Sequence, residues 1–172
     1  LYEHFKAIAA ASPLPLCLYN VPGRSGVNME AATVAALSHD CPNIIAVKEA
    51  SGRFDQATAI LKSKRADSGE DALLLPLMSL GFEGVISVIA NVLPNDYACL
   101  VKSALQGDYP TARRIHLDRA ELCKALFEEG NPAGIKAALH AAGIIRQNTL
   151  RLPLTPVSDA LYNKIIGLLK LH

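Results

Sequence analysis

The sequence predicts an α/β protein in which a parallel β-sheet is covered by helices and is followed by a helical segment. Short apolar segments alternate with amphipathic segments through the first half of the chain. Strands that are apolar on both faces are typical of parallel sheets buried between helices. From Pro94 onward the apolar residues recur with helical spacing only. The second half is therefore expected to be helical.

The first predicted helix covers residues 1–11 and ends at Ser12, because the residue before a proline disfavours the helical conformation. A buried strand is predicted over 14–19. The later predicted elements of this half are a loop over 22–26, a helix over 29–38 with Asn28 as its N-cap, a strand over 43–48, a helix over 54–61, a helix over 71–80 and a strand over 84–88. The strand residues Leu16, Leu18, Ile45 and Val47 are predicted to face inward, toward an opposing layer of side chains that must still be supplied.

The second half is expected to form four helices. Tyr97, Leu100 and Leu105 belong to the apolar stripe of the first, which Gly107 ends. The apolar stripes of the second and third helices are formed by Ile115, Leu122 and Leu126, and by Ile135, Ala138, Leu139 and Ala142. Gly143 is the predicted C-cap of the third helix. Thr155 and Pro156 are predicted to open the last helix, whose buried face holds Leu161, Ile165 and Leu168.

Composition excludes several classes of function. The chain of 172 residues suits one domain, and 51% hydrophobic residues suffice for a core. The net charge of +1 comes from interspersed signs, so nucleic-acid binding is not expected. No apolar run approaches the length of a membrane span, and the first ten residues lack signal-peptide architecture. These features predict a cytoplasmic protein that does not bind membranes.

The cysteine and histidine patterns do not predict a metal site. Four widely spaced cysteines form no Cys-x-x-Cys pair: Cys17, Cys41, Cys99 and Cys123. Free thiols in a reducing compartment are the expected state. The five histidines share no ligand spacing and are predicted to be ordinary surface or core residues.

Tyr19 and Lys48 each close a short hydrophobic strand. A desolvated lysine loses its proton more readily, and the neutral amine is the nucleophile of Schiff-base chemistry on carbonyl substrates. Arg24 follows Tyr19 in a loop, where a guanidinium can hold a carboxylate through two parallel hydrogen bonds. Taken alone, Lys48 fits a solvated strand-end lysine better than a nucleophile, and the Tyr19–Arg24 segment is what favours the catalytic interpretation. Glu49 is predicted to be structural.

The residues YNVPGRSG at 19–26 and KEASG at 48–52 resemble the dihydrodipicolinate synthases, lysine-biosynthesis enzymes of the class I pyruvate-dependent aldolase family. The resemblance continues, in the same order along the chain, through SGED (68–71), GVISVIANV (84–92), NPAGIKAALHAAG (131–143) and LRLPLTPVSDAL (150–161). Several ungapped motifs in one order are far more specific than one pattern match.

The resemblance implies a lyase that condenses pyruvate with aspartate semialdehyde to 4-hydroxy-tetrahydrodipicolinate. Lys48 would form the Schiff base, Tyr19 would relay protons and Arg24 would hold the carboxylate of the second substrate. The backbone carbonyls of Gly69 and Ile86 would lie near the lysine. The family needs no metal or organic cofactor, and it implies a homotetramer if the barrel is complete.

The implied fold is the C-terminal part of a TIM (β/α)₈ barrel over residues 1–92, followed by a helical extension over 93–172. A complete barrel takes about 250 residues, and this sequence shows three apolar strands. By the resemblance, residue 1 corresponds to the helix before the fifth strand. The seventh strand is expected to be shortened or deleted, because residues 62–67 offer no apolar run before SGED.

Two alternative functions stay open. One is a related pyruvate aldolase, such as N-acetylneuraminate lyase, against which Arg24 argues because a guanidinium suits a carboxylate better than a polyol. The other is a non-catalytic half barrel that needs a partner chain. The sequence leaves open whether the chain is active alone and whether lysine inhibits it.

Overall fold

The computed structural model describes residues 1–63 and 66–170. It divides into two compact units, residues 1–86 and residues 87–172. Each unit is described by itself. The predicted boundary between residues 92 and 93 stays a prediction.

The first unit is built on a parallel sheet, as the sequence predicts. Within the described residues the strands are β1 (Leu16–Asn20), β2 (Ile44–Glu49), β3 (Ala66–Ser68) and β4 (Gly84–Val85), which pair in that order. The helices of this unit are α1 (Tyr2–Ala11), α2 (Pro22–Ser25), α3 (Ala31–Asp40), α4 (Phe54–Leu61) and α5 (Leu74–Leu80), with a short 3₁₀ helix at Asp71–Leu73.

Helices cover one face of this sheet. Leu18 and Val47 are 3% and 0% exposed and pack with Leu37 of α3 and Ile60 of α4. The prediction that Leu18 and Val47 need a further covering layer is therefore wrong, because these side chains already lie under the helices. On the opposite face Tyr19 is 45% exposed. Ile45 is 48% exposed and falls at a shift of register between β1 and β2, where it has no paired residue.

The strand predictions need two corrections. A short strand forms at Ala66–Ser68, so the first unit has more strands than the three predicted. Its register against Val47–Glu49 on one side and Gly84–Val85 on the other shows that it is stabilised by its neighbours rather than by its own apolar content. The predicted strand over 84–88 is shorter, at Gly84–Val85. Lys64 and Arg65, part of the predicted gap, lie outside the described residues.

Asn28 is not the N-cap of α3, which begins at Ala31 after Glu30. The side chain of Asn28 instead pairs with Gln56 of α4 through two amide hydrogen bonds of 2.7 and 3.2 Å. A tertiary partner has thus displaced the local capping contact that the sequence suggests.

The second unit is helical, as predicted. A 3₁₀ helix at Ile89–Asn91 precedes α6 (Pro94–Leu105), α7 (Tyr109–Glu128), α8 (Ala133–Ala141) and α9 (Asp159–Lys170). Leu100, Leu126 and Ile165 are fully buried in its core. The last helix begins at Asp159 rather than at Thr155, and the Ser158 hydroxyl accepts a hydrogen bond from the Leu161 N–H. None of the described helices is long and apolar enough to cross a membrane.

Gly134 is required where α8 crosses α7. A Cβ at this position would overlap the backbone carbonyl of Leu126. We expect Gly134→Ala to lower the free energy of unfolding by about 1–3 kcal/mol, measured by chemical denaturation of the active assembly. The matched control is Gly167→Ala in α9, where a Cβ meets open space. This control is expected to be neutral or to stabilise by about 0.5–1 kcal/mol, and an equal loss in both variants would contradict the packing argument.

Candidate active site

Tyr19 and Lys48 lie side by side at the carboxyl ends of β1 and β2. They are directly paired in the register of the two strands. Because paired residues of neighbouring strands point to the same face, both side chains lie on the face of the sheet opposite the helices. The Lys48 Nζ lies 4.2 Å from the centroid of the Tyr19 ring. This distance is within the range of a cation–π interaction, so the amine and the phenol form one local unit.

Gly69 closes the space beside Lys48. Its N–H donates a 2.8 Å hydrogen bond to the Glu49 carbonyl. A Cβ at this position would lie 2.5 Å from the Cβ of Ala50 and 3.0 Å from the Cε of Lys48. A side chain larger than hydrogen would therefore displace either the backbone or the lysine.

Ile86 lies further across the sheet. Its N–H donates a 3.0 Å hydrogen bond to the Ser68 carbonyl. Strand β3 thus separates it from Lys48, and its side chain is 49% exposed. The structure brings Tyr19, Lys48 and Gly69 into direct proximity and places Ile86 one strand beyond them.

Arg24 is exposed on the short helix α2. This turn is closed by Gly26, whose positive φ of 71° suits glycine and whose N–H donates to the Pro22 carbonyl. Burial raises the pKa of the Glu70 carboxyl above its ordinary value, and neighbouring Asp71 raises it further, whereas the charges of Lys48 and Arg24 oppose the shift. Lys48 and Arg24 therefore both act electrostatically on the Glu70 carboxyl, which the sequence analysis did not single out.

A buried polar cluster, formed by Asn20, Asn28, Glu49 and Gln56, lies on the opposite side of the same strand ends. The Asn20 Nδ2 donates to both Glu49 oxygens, at 3.3 and 3.0 Å. The Gln56 Nε2 donates to Glu49 Oε2 at 3.1 Å, and the Ser51 N–H donates to Oε1 at 2.6 Å. Glu49, Asn20 and Gln56 are 2%, 2% and 4% exposed. The cluster was also missed, because its members are separated in sequence and meet only when the strands pair.

A cavity of about 140 Å³ lies beside Tyr19 and is lined by Phe5, Ser25 and Val27 among others. It lies on the α2 side of the tyrosine, and Lys48 is not among the residues that line it. Among the described residues, no group of His, Cys, Asp and Glu is arranged to hold a metal ion.

The comparisons with known proteins fit this geometry. A sequence profile of the dihydrodipicolinate synthetase family matches residues 1–171. The chain belongs to this family. The 4-hydroxy-tetrahydrodipicolinate synthase of Parabacteroides distasonis is 49% identical over 174 residues, which cover 99% of this chain and 58% of that protein.

Solved structures of the family agree in fold. Dihydrodipicolinate synthase from Aquifex aeolicus superposes with a TM-score of 0.95 at 40% identity, over 99% of this chain and 59% of that one. The chloride-inhibited Acinetobacter baumannii enzyme, solved in complex with pyruvate, superposes with a TM-score of 0.93 at 38% identity, over 98% of this chain and 59% of that one. The predicted α/β class and family are confirmed, and the chain spans a little under three fifths of its relatives' length.

Proposed function

We propose that this chain carries the Schiff-base site of a 4-hydroxy-tetrahydrodipicolinate synthase, with pyruvate as first substrate and aspartate semialdehyde as second. The observation that carries the proposal is the Lys48 amine held 4.2 Å from the Tyr19 ring on one face of a parallel sheet. Imine formation needs a nucleophilic amine, and a neighbouring phenol can donate and accept the protons of the reaction. The pyruvate complex of the Acinetobacter baumannii relative supports the choice of first substrate.

In the proposed mechanism, the neutral Lys48 amine attacks the keto carbon of pyruvate and gives a carbinolamine. Protonation of its hydroxyl by Tyr19 allows water to leave and the imine to form. Loss of a methyl proton then gives an enamine, because the imine nitrogen accepts the electron pair. The enamine carbon attacks the aldehyde of the second substrate, and the amino group of that substrate closes the ring as Lys48 is released. The imine is the electron sink, so the proposal requires no organic cofactor or metal.

The other predicted site residues have distinct proposed roles. Gly69 leaves room for the Lys48 side chain, because a Cβ would meet its Cε at 3.0 Å. The carbonyls of Gly69 and Ile86 are proposed to face the substrate side of the sheet. Arg24 is proposed to bind the carboxylate of aspartate semialdehyde at the mouth of the site, since its exposed guanidinium lies on the loop that follows Tyr19.

We expect Arg24→Ala to raise the KM for aspartate semialdehyde and to lower turnover, while reductive trapping of pyruvate on Lys48 survives. Loss of a charged hydrogen bond of this kind costs about 1.5–3 kcal/mol, which corresponds to roughly a tenfold to hundredfold loss in kcat/KM. Steady-state kinetics of the active assembly measure it. Arg114→Ala is the matched control, because Arg114 pairs with Asp118 on a helix of the other unit. Unchanged kinetics for both substrates would contradict the role of Arg24.

A second candidate function is a non-catalytic half barrel that another polypeptide completes. It rests on the exposed apolar side chains of Tyr19, Ile45 and Ile86 on the open sheet face. Assay of the chain alone, and then with the unmatched part of the Parabacteroides distasonis enzyme supplied as a separate polypeptide, distinguishes the two. Synthase turnover that appears only after the two polypeptides are mixed supports an incomplete barrel. N-acetylneuraminate cleavage without synthase activity would favour the other aldolase class.

The remaining proposals concern context. The chain is proposed to supply the C-terminal strands of the barrel, with residues 93–172 as the helical extension. A homo-oligomer, a tetramer as the family resemblance implies, is proposed for the complete barrel in the cytoplasm. Sedimentation analysis of the active protein tests the assembly, and a monomer with full activity would contradict it.

A further inference from the structure

The carboxylate of Glu49 is almost completely buried, yet the proposed mechanism does not use it. It is 2% exposed and lies next to Lys48 in β2, on the helix-covered face. A buried carboxylate is costly unless hydrogen bonds satisfy it. Here the Asn20 side chain, the Gln56 side chain and the Ser51 N–H all donate to it. Hydrogen bonds of this cluster therefore connect the ends of β1 and β2, the turn after β2 and helix α4.

Each end of this cluster is adjacent to a residue of the proposed site. Asn20 follows Tyr19 and Glu49 follows Lys48, and Asn20 and Glu49 are themselves paired in the register. Because alternate residues face opposite sides of a strand, fixing Asn20 against Glu49 on one face fixes Tyr19 against Lys48 on the other. We propose that Glu49 is a positioning residue whose carboxylate holds the Lys48 amine over the Tyr19 ring. This inference deepens the proposed function and rests on it for its catalytic consequence only.

Two backbone donors fix which side-chain atoms of Glu49 and Asn20 must accept hydrogen bonds. The Ser51 N–H requires an acceptor at Glu49 Oε1, and the Met29 N–H requires an acceptor at Asn20 Oδ1. Neither backbone group can be turned around. In Glu49→Gln the new amide nitrogen therefore takes the place of Oε2, where it faces the donors Asn20 Nδ2 and Gln56 Nε2. Asn20 keeps its longer 3.3 Å hydrogen bond to Oε1, and rotation of either side chain breaks a backbone hydrogen bond instead.

The exchanged pair Asn20→Asp with Glu49→Gln removes this conflict. The amide nitrogen at position 49 then donates to the carboxylate at position 20, while both backbone donors keep their acceptors. Asn28 and Gln56 donate to each other in both directions, so they can reverse together and match the new groups at positions 20 and 49. This reversal gives up the 2.7 Å hydrogen bond from Asn28 Nδ2 to the exposed Glu30 carboxylate. The buried charge is kept but moves from one strand to the other.

The first measurement does not depend on pyruvate. In protein labelled at the lysine Cε, the Hε protons of Lys48 are expected upfield of the other lysines, because they lie near the face of the Tyr19 ring; Lys48→Arg assigns the signal. Glu49→Gln is expected to move this signal toward the value of exposed lysines, and the exchanged pair is expected to restore it.

The second measurement is the rate of borohydride trapping of pyruvate. It is expected to fall on the order of tenfold to a hundredfold in Glu49→Gln, with the half-saturating pyruvate concentration little changed, and to recover in the exchanged pair.

Asn43→Asp is the matched control for lost stability. Asn43 Nδ2 donates to the carbonyls of Ala9 and Ser12 near the opposite ends of the same strands. Replacing its amide by a carboxylate creates the same kind of polarity conflict away from Lys48. If Glu49→Gln does not fold, Gln56→Leu is expected to move the Lys48 signal less but in the same direction, because it removes one donor.

The outcomes are distinct. The proposal is overturned if the wild-type Hε signal is not shifted, if Glu49→Gln (or Gln56→Leu in its place) leaves it unchanged, or if Asn43→Asp moves it equally. Recovery of thermal stability without recovery of the Lys48 signal in the exchanged pair also overturns it. If the NMR results are as expected and the wild type traps no pyruvate, the positioning role stands and the proposed function fails.

Discussion

Lys48→Arg is expected to abolish reductive trapping of pyruvate on this chain. The substitution keeps the charge, but a guanidinium stays protonated and cannot form the imine. Incubation with pyruvate and borohydride, followed by mass spectrometry, should add one lactyl-sized group to the wild type and none to the variant. The reason lies in the site geometry, because Lys48 is held against Tyr19 and Gly69.

Lys102→Arg is the matched control, because Lys102 is exposed on α6 of the other unit. It is expected to leave trapping unchanged. Trapping that persists in Lys48→Arg and maps to another lysine would contradict the assignment of Lys48 as the nucleophile. Absence of any pyruvate adduct in the wild type would instead favour the non-catalytic half barrel.

The second large effect concerns the open sheet face. Tyr19, Ile45 and Ile86 expose 45%, 48% and 49% of their surface, although parallel sheets are normally covered on both faces. Within the described part of the chain, β1 and β4 each have one unpaired edge, and such edges promote association. We therefore expect purified residues 1–172 to self-associate and to unfold without a sharp transition.

Analytical ultracentrifugation measures the self-association, and calorimetry measures the sharpness of the unfolding transition. Ile45→Lys is expected to reduce self-association, since it places a charge on the open face. Ile144→Lys is its control, because Ile144 is comparably exposed, at 57%, in the other unit. A monodisperse monomer that unfolds cooperatively and turns over both substrates would show that no further segment is needed.

The strands that the sequence predicted well are those with their own apolar runs. The segments around Leu16–Asn20 and Ile44–Glu49 form strands close to the predicted bounds. Strand β3 was expected only as a shortened or deleted strand, because Ala66, Asp67 and Ser68 carry no apolar run. It forms by pairing on both sides with β2 and β4, which is a tertiary effect that local patterns do not contain.

The proximity of Tyr19 and Lys48 is the part of the site that the sequence made predictable, because the carboxyl ends of neighbouring parallel strands meet at one edge. The raised pKa of the Glu70 carboxyl was not predictable, since it depends on burial and on Asp71 and is opposed by Lys48 and Arg24. Nor was the partnership of Asn28 with Gln56, because the local sequence favours a helix cap. Contacts between distant residues, rather than propensities, determine these features.

The most direct test of the central claim is a crystal structure of the active assembly soaked with pyruvate. We expect continuous electron density from the Lys48 Nζ to the keto carbon of pyruvate, with the Tyr19 hydroxyl within hydrogen-bonding distance of the adduct. Pyruvate bound without a covalent bond to Lys48, or joined to a different lysine, would contradict the account.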